Sequence, residues 1–178
     1  MTKGNRMAKS IFKEAIEWVL IIAAAVAVAY LIDHFLIVNA TVPSSSMEKT
    51  IMTGDRVIGN RLAYLKSDPQ RGDIVIFKFP DDEKVLYIKR VIGLPGETLE
   101  VKDGHVYING AVLDEPYLNV TTDGSFGPYR IPEGGYFMMG DNRNDSADSR
   151  YWHNTYLYRD GMVGKAVFRY WPSFSRLE

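Results

Sequence analysis

Hydrophobic residues fall into two regimes that meet near residue 40. Residues 18–32 carry no charge, and the apolar pattern continues through Phe35 to Val38, past Asp33 and His34. The run is apolar on every side of a helix rather than along one stripe, which argues against a helix of a soluble domain. As a helix, residues 18–37 rise about 30 Å, the thickness of a bilayer's hydrocarbon core. Asp33 and His34 lie near one end, where an ionisable side chain reaches the interface at small cost. Lys3, Arg6, Lys9 and Lys13 precede the run, and a basic flank favours the cytoplasmic side. The pattern predicts a cytoplasmic N-terminus at 1–14, a single-pass transmembrane helix at 15–38 in the cell membrane, and an extracytoplasmic remainder at 39–178. The lipid bilayer is thus an expected partner. Val38, Asn39 and Ala40 also read as a small-residue cleavage site, so a removable secretory signal competes for the same stretch. The length of the run favours an anchor.

After residue 40 the period changes. Short apolar runs alternate with turn residues, the pattern of strands. Strands are predicted at 56–58, 73–79, 84–92, 136–139 and 162–171. Asp103-Gly104 and Asn109-Gly110 separate three short runs at 99–101, 105–108 and 111–113, and such dipeptides are the strongest short-range hairpin signal. Residues 114–130, rich in Asp, Gly, Thr and Pro, read as a loop. No long amphipathic helix is predicted beyond residue 66. The fold class is therefore mainly β, with a small β insertion at 98–130, on one N-terminal transmembrane helix.

Composition removes several chemistries. Lys and Arg number 21 and Asp and Glu 22, for a net charge of −1. That balance speaks against a nucleic-acid-binding surface. There is no cysteine, hence no disulfide, thiolate ligand or cysteine nucleophile. His34, His105 and His153 are far apart and no HExxH pair exists, so neither a metal nor a cofactor is expected.

Three segments carry candidate chemistry. In Val42-Pro43-Ser44-Ser45-Ser46-Met47, Pro43 imposes an extended approach to a run of serines. Alone, this reads equally as a polar linker or a helix cap. In residues 86–92, strand alternation puts Val85, Tyr87, Lys89 and Val91 on one face and Leu86, Ile88, Arg90 and Ile92 on the other. A lysine set among apolar neighbours loses hydration of its charged form, its pKa falls, and it becomes able to act as a base. An edge lysine whose head reaches water fits the same pattern. The third segment, 140–150, is dense in Asp, Asn, Arg and Ser behind the apolar 136–139, and alone it reads also as a surface loop. A Ser46, His153 and Asp148 triad is a further possibility, although no G-x-S-x-G elbow is present.

Together the segments resemble the bacterial type I signal peptidases. The resemblance runs through P-S-x-S-M at 43–47, R-G-D-I-V-x-F at 71–77, Y-I-K-R-V-I-G-x-P-G at 87–96 and G-D-N-R-x-x-S-x-D-S-R at 140–150. Order and spacing match, the membrane segment precedes them, and the short insertion looks like the compact Gram-positive form. The resemblance implies a signal-peptidase-type β-fold and a serine endopeptidase that cleaves exported preproteins after small-x-small sites, usually Ala-x-Ala. It implies Ser46 as nucleophile and Lys89 as general base, with the Ser44 hydroxyl and the Ser46 backbone N–H at the oxyanion. Ser146 would orient the Lys89 amine, and Asp148 and Arg150 would form a supporting ion pair. One departure stands out. Lys49 occupies the place of the family's proline in S-M-x-P-T-L, which is expected to loosen the turn and to add a charge near the nucleophile.

Overall fold

A strand with apolar side chains on both faces needs cover on both sides, and Ile74-Val75-Ile76-Phe77 is such a strand. In the computed structural model, which describes residues 3–177 with side chains from Phe12 onward, Ile74 and Ile76 enter one core and Val75 and Phe77 another. The chain divides into two units, Met1–Leu36 and Ile37–Glu178. The first is the helix α1 (Lys3–Leu31) continued by a π-helical turn, Ile32–Leu36. Within it Phe12–Leu36, 25 residues, is long and apolar enough to cross a membrane.

The second unit consists of β1 (Ile37–Thr41), β2 (Arg56–Asn60), β3 (Ile74–Phe79), β4 (Asp82–Gly93), β5 (Thr98–Lys102), β6 (His105–Ile108), β7 (Ala111–Val112), β8 (Phe126–Arg130), β9 (Gly135–Met139), β10 (Leu157–Tyr158), β11 (Met162–Trp171) and β12 (Ser175–Arg176). The larger sheet runs β1-β2-β11-β3-β4-β9-β10 with β12 beside β11, and the smaller runs β7-β6-β5-β8. Neighbouring strands pair antiparallel. A third apolar cluster joins Ile92, Phe137 and Met139 of the larger sheet to Leu99, Val101 and Val106 of the smaller. The two hairpin dipeptides act as expected. Asp103 and Gly104, then Asn109 and Gly110, all take positive φ, the conformation of a type I′ turn whose twist matches the flanking strands.

Two strands lie where the pattern predicts something else. The apolar continuation to Val38 spans a change from helix to strand, because Ile37 and Val38 are β-branched and Val38 is buried in the core of the second unit. Residues 114–130, expected as loop, end in β8. Its Gly127 and Pro128 disguise it, yet β8 is an edge strand, where a residue without an N–H is tolerated.

The turn at Lys49 is not loosened. The Thr50 N–H donates to the Met47 carbonyl at 3.1 Å, Glu48 has φ −56° and ψ 145°, and Lys49 has φ +82°. This is a type II turn with Lys49 at its left-handed corner. Proline, fixed near φ −65°, cannot occupy that corner. Lys49→Gly is therefore expected to leave thermal stability within about 1 kcal/mol, whereas Lys49→Pro should cost more than that and lower the melting temperature by several degrees. Thermal unfolding followed by circular dichroism checks both, and a stabilising Lys49→Pro would contradict this turn geometry.

Candidate active site

Lys89 lies on β4 at the point where that strand's outer edge closes. Along β3, Lys89 pairs with Val75. On the other side, β9 joins only from Arg90 onward. The serine segment approaches as an extended stretch and then turns through a 3-10 helix, Ser45–Met47. Val42 exchanges backbone hydrogen bonds with Asp55 and Gly54, and Val42 and Met47 are sunk in the core at 2% and 0% exposure. These two apolar anchors fix the turn between them. As a result the Lys89 Nζ lies 2.6 Å from the Ser46 Oγ, with the residues only 3% and 5% exposed. The Ser44 Oγ is 3.2 Å from the Ser46 Oγ.

The 140–150 loop clamps this turn from behind. The Asn142 N–H donates to the Ser46 carbonyl at 3.1 Å, and its side-chain amide donates to the Ser45 carbonyl at 3.1 Å. A Cβ at Gly140 would overlap both the Ser146 hydroxyl and the Ser46 carbonyl. Asp141 accepts from the Arg90 guanidinium at 2.9 and 2.7 Å and from the Thr50 hydroxyl at 2.5 Å. Asp148 and Arg150 form a buried bidentate pair, both bonds 2.8 Å, and Asp148 also accepts from the Gly140 N–H at 3.0 Å. Two residues of the loop before β8 complete the support. Glu115 pairs with the buried Arg143, and the Tyr117 ring lies 4.0 Å from the Arg90 guanidinium carbon.

Burial brings the Lys89 pKa down to about 8 from an ordinary 10.5, against the opposing pull of Asp148 and then Asp141. Desolvation penalises the ammonium form, and it wins because each carboxylate already faces an arginine. The dry environment does not come from the whole strand face that alternation suggests. Val85 is 43% exposed. Of those neighbours Val91 is buried and the Tyr87 ring lies 5.2 Å from the Lys89 Nζ, and the serine turn, distant in sequence, completes the cover through Ser46.

A cleft of about 460 Å³ opens beside the pair, walled by Val42, Ile76, Val85, Leu86 and Ile88. The structure thus brings Ser44, Ser46 and Lys89 into contact and places Asp148 and Arg150 together. The Ser146 hydroxyl is buried without a hydrogen-bond partner, so the expected bond to the Lys89 amine is not formed. His153 is solvent-exposed and its backbone N–H donates to Asp81 at 2.9 Å, while Asp148 belongs to Arg150. The triad alternative has no geometric basis. Sequence reasoning gave no role to Arg90, Asp141, Asn142 or Gly140. The signal that would have found them is that an arginine inside an apolar strand needs a carboxylate. Among the described residues no group of metal-ligating side chains is large enough to hold a metal ion.

Comparison with known proteins identifies the family. A family model described as signal peptidase, peptidase S26, matches residues 15–171. A probable signal peptidase I-2 of Synechocystis is 41% identical over 153 residues, 83% of this chain and 69% of that protein. Signal peptidase I T of Bacillus subtilis is 39% identical over 181 residues, 96% of this chain and 93% of that protein. A solved signal peptidase I from Enterococcus faecalis V583 is 37% identical, with a TM-score of 0.49 over 56% of this chain and 97% of that one. With a buried Ser46–Lys89 contact on a mainly β fold and relatives matched over most of its length, the chain belongs to the signal peptidase family, peptidase S26.

Proposed function

We propose that this protein removes N-terminal signal peptides from exported preproteins, with Ser46 as nucleophile and Lys89 as general base. It works from the cell membrane, anchored by one helix with its N-terminus cytoplasmic and its catalytic unit outside. The observation that carries the reading is the 2.6 Å contact between a buried hydroxyl and a buried amine at the wall of an apolar cleft. Neutral Lys89 accepts the Ser46 proton as Oγ attacks the scissile carbonyl carbon. The Ser44 hydroxyl and the Ser46 N–H, at the start of a turn whose first N–H groups lack an acceptor within it, donate to the developing oxyanion. The lysine then passes its proton to the leaving amine, and a water activated by the same amine releases the acyl group. The Asp148–Arg150 pair holds the loop beneath.

The cleft also supports small-x-small selection. Among the described residues no strand pairs the outer edge of β4 before Arg90, so an extended peptide can lie along it. In an extended chain residues two apart face the same side. Two side chains then meet the apolar wall, and the one between points away.

Incubating the detergent-solubilised protein with a preprotein tests the assignment. The wild type should release a mature chain beginning just after an Ala-x-Ala site, and Ser46→Ala should release none. Persistence of cleavage in Ser46→Ala would move the nucleophile elsewhere.

Lys89 makes a prediction of opposite sign for activity and stability. Activity needs the neutral amine, so kcat/KM should rise with an acid limb near pH 8 rather than 10.5. Between those values the unfolded chain binds more protons than the folded one, so stability rises with pH across that window. Below it, burying the charged amine costs on the order of 3 kcal/mol. Lys89→Met should be inactive yet melt at a higher temperature at pH 7, an advantage that shrinks toward pH 10.5. An acid limb that stays in place in Lys89→His would show that another group is titrating.

Gly140→Ala should fold but lose activity by about 10²-fold, because the added methyl overlaps the Ser46 carbonyl and displaces the serine turn, and displacement of about 1 Å is enough for such a loss. Steady-state kinetics should place most of the loss in kcat.

A further inference from the structure

The cleft has one carboxylate among its lining side chains, that of Asp145. Asp145 is exposed, and among the described residues no lysine, arginine or histidine pairs with it. Nor is it free to swing. Its Oδ2 accepts from the Ser45 hydroxyl at 2.5 Å, and its backbone N–H donates to the Asn142 carbonyl at 3.0 Å. One residue from the nucleophile, the cleft therefore holds a fixed, uncompensated negative charge that solvent and substrate can reach. The wall formed by Val85, Leu86 and Ile88 suits small apolar side chains. Asp145 and Ala147 belong instead to the loop that grips the serine turn, so the ionic group belongs with the part of the substrate not held by that wall.

Resting on the assignment of the cleft to signal-peptide cleavage, we infer that Asp145 is a specificity-determining residue that reads the charge of the first residue of the mature protein. A basic residue there is favoured and an acidic one disfavoured. The charge adjoins no reacting atom and acts in the ground state as in the transition state, so the preference enters mainly through KM. Its size is that of an exposed ion pair, about three- to fivefold between lysine and glutamine, with a further loss for glutamate. It fades at about 1 M salt, where charges are screened over roughly 3 Å.

The test uses the full-length enzyme in detergent and signal-peptide substrates differing only in the first residue after the scissile bond: Lys, Gln or Glu. A second set carries the same three residues at the x of small-x-small. The expected result is the order Lys, Gln, Glu in the first set, no order in the second, collapse of the first order in Asp145→Asn and its inversion in Asp145→Lys. Ratios within one enzyme preparation do not depend on the fraction folded. A flat wild-type response, a preference that survives in Asp145→Asn, or one confined to the second set overturns the inference while leaving the peptidase assignment intact. Failure of the wild type to cleave even the Gln substrates overturns the assignment, and the inference with it.

Discussion

The site depends on keeping one lysine dry. An ammonium group with 3% of its residue exposed is an expensive thing to bury, and every neighbouring feature either contributes to that burial or prevents a carboxylate from undoing it. Asp141 and Asp148 both pull the Lys89 charge back. They fail because each is held by a guanidinium in two-point contact, Asp141 by Arg90 and Asp148 by Arg150. Buried pairs of this kind contribute little net stability, since desolvation offsets most of the attraction, but removing one partner strands a charge. Their value here is that the carboxylates keep their positions as backbone and hydroxyl acceptors while most of their field is cancelled.

Those positions are what hold Ser46 against Lys89. Asp141 holds Thr50, Asp148 holds the Gly140 N–H, and Asn142 holds the carbonyls of Ser45 and Ser46. The serine turn is thus fixed from the core side by Val42 and Met47 and from the loop side by hydrogen bonds. Glu115 and Tyr117 extend the same network to the smaller sheet's loop by engaging Arg143 and Arg90. The smaller sheet therefore shares a polar network with the site as well as an apolar cluster with the larger sheet, which explains why an insertion outside the catalytic motifs bears on their geometry.

Openness and dryness coexist because they belong to different sides of β4. Beyond Lys89, β9 closes the edge and buries Arg90 to Gly93. Before it, the edge is free, and Val85 and Leu86 are 43% and 48% exposed. An unpaired apolar edge is an aggregation liability unless it has a partner. Under the proposed function an extended peptide is that partner, and Lys89 sits at the junction where the open edge ends.

Much of this was legible in the sequence for local reasons. Period-2 runs located β2, β3, β4, β9 and β11, and the Asp-Gly and Asn-Gly dipeptides placed the hairpins of the smaller sheet, because turn conformation and strand alternation are short-range properties. The serine, the lysine and the Asp-Ser-Arg loop could each be named, since ordered motifs carry residue identity. Their contact could not be read, because 43 residues separate Ser46 from Lys89 and only the packing of Val42 and Met47 under the sheet closes that distance. The lysine's burial was legible only in part: alternation found Tyr87 and Val91, which do adjoin it, but not the serine turn that takes the place of the exposed Val85. β1 hid in the end of the apolar run because helix and strand share the same residues there, and β8 hid behind a glycine and a proline that only an edge position tolerates. The left-handed corner at Lys49 likewise follows from how Met47 and Thr50 are anchored. The amino-acid sequence by itself determined which groups could react; tertiary packing decided which of them meet, and which one is kept dry enough to lose its proton.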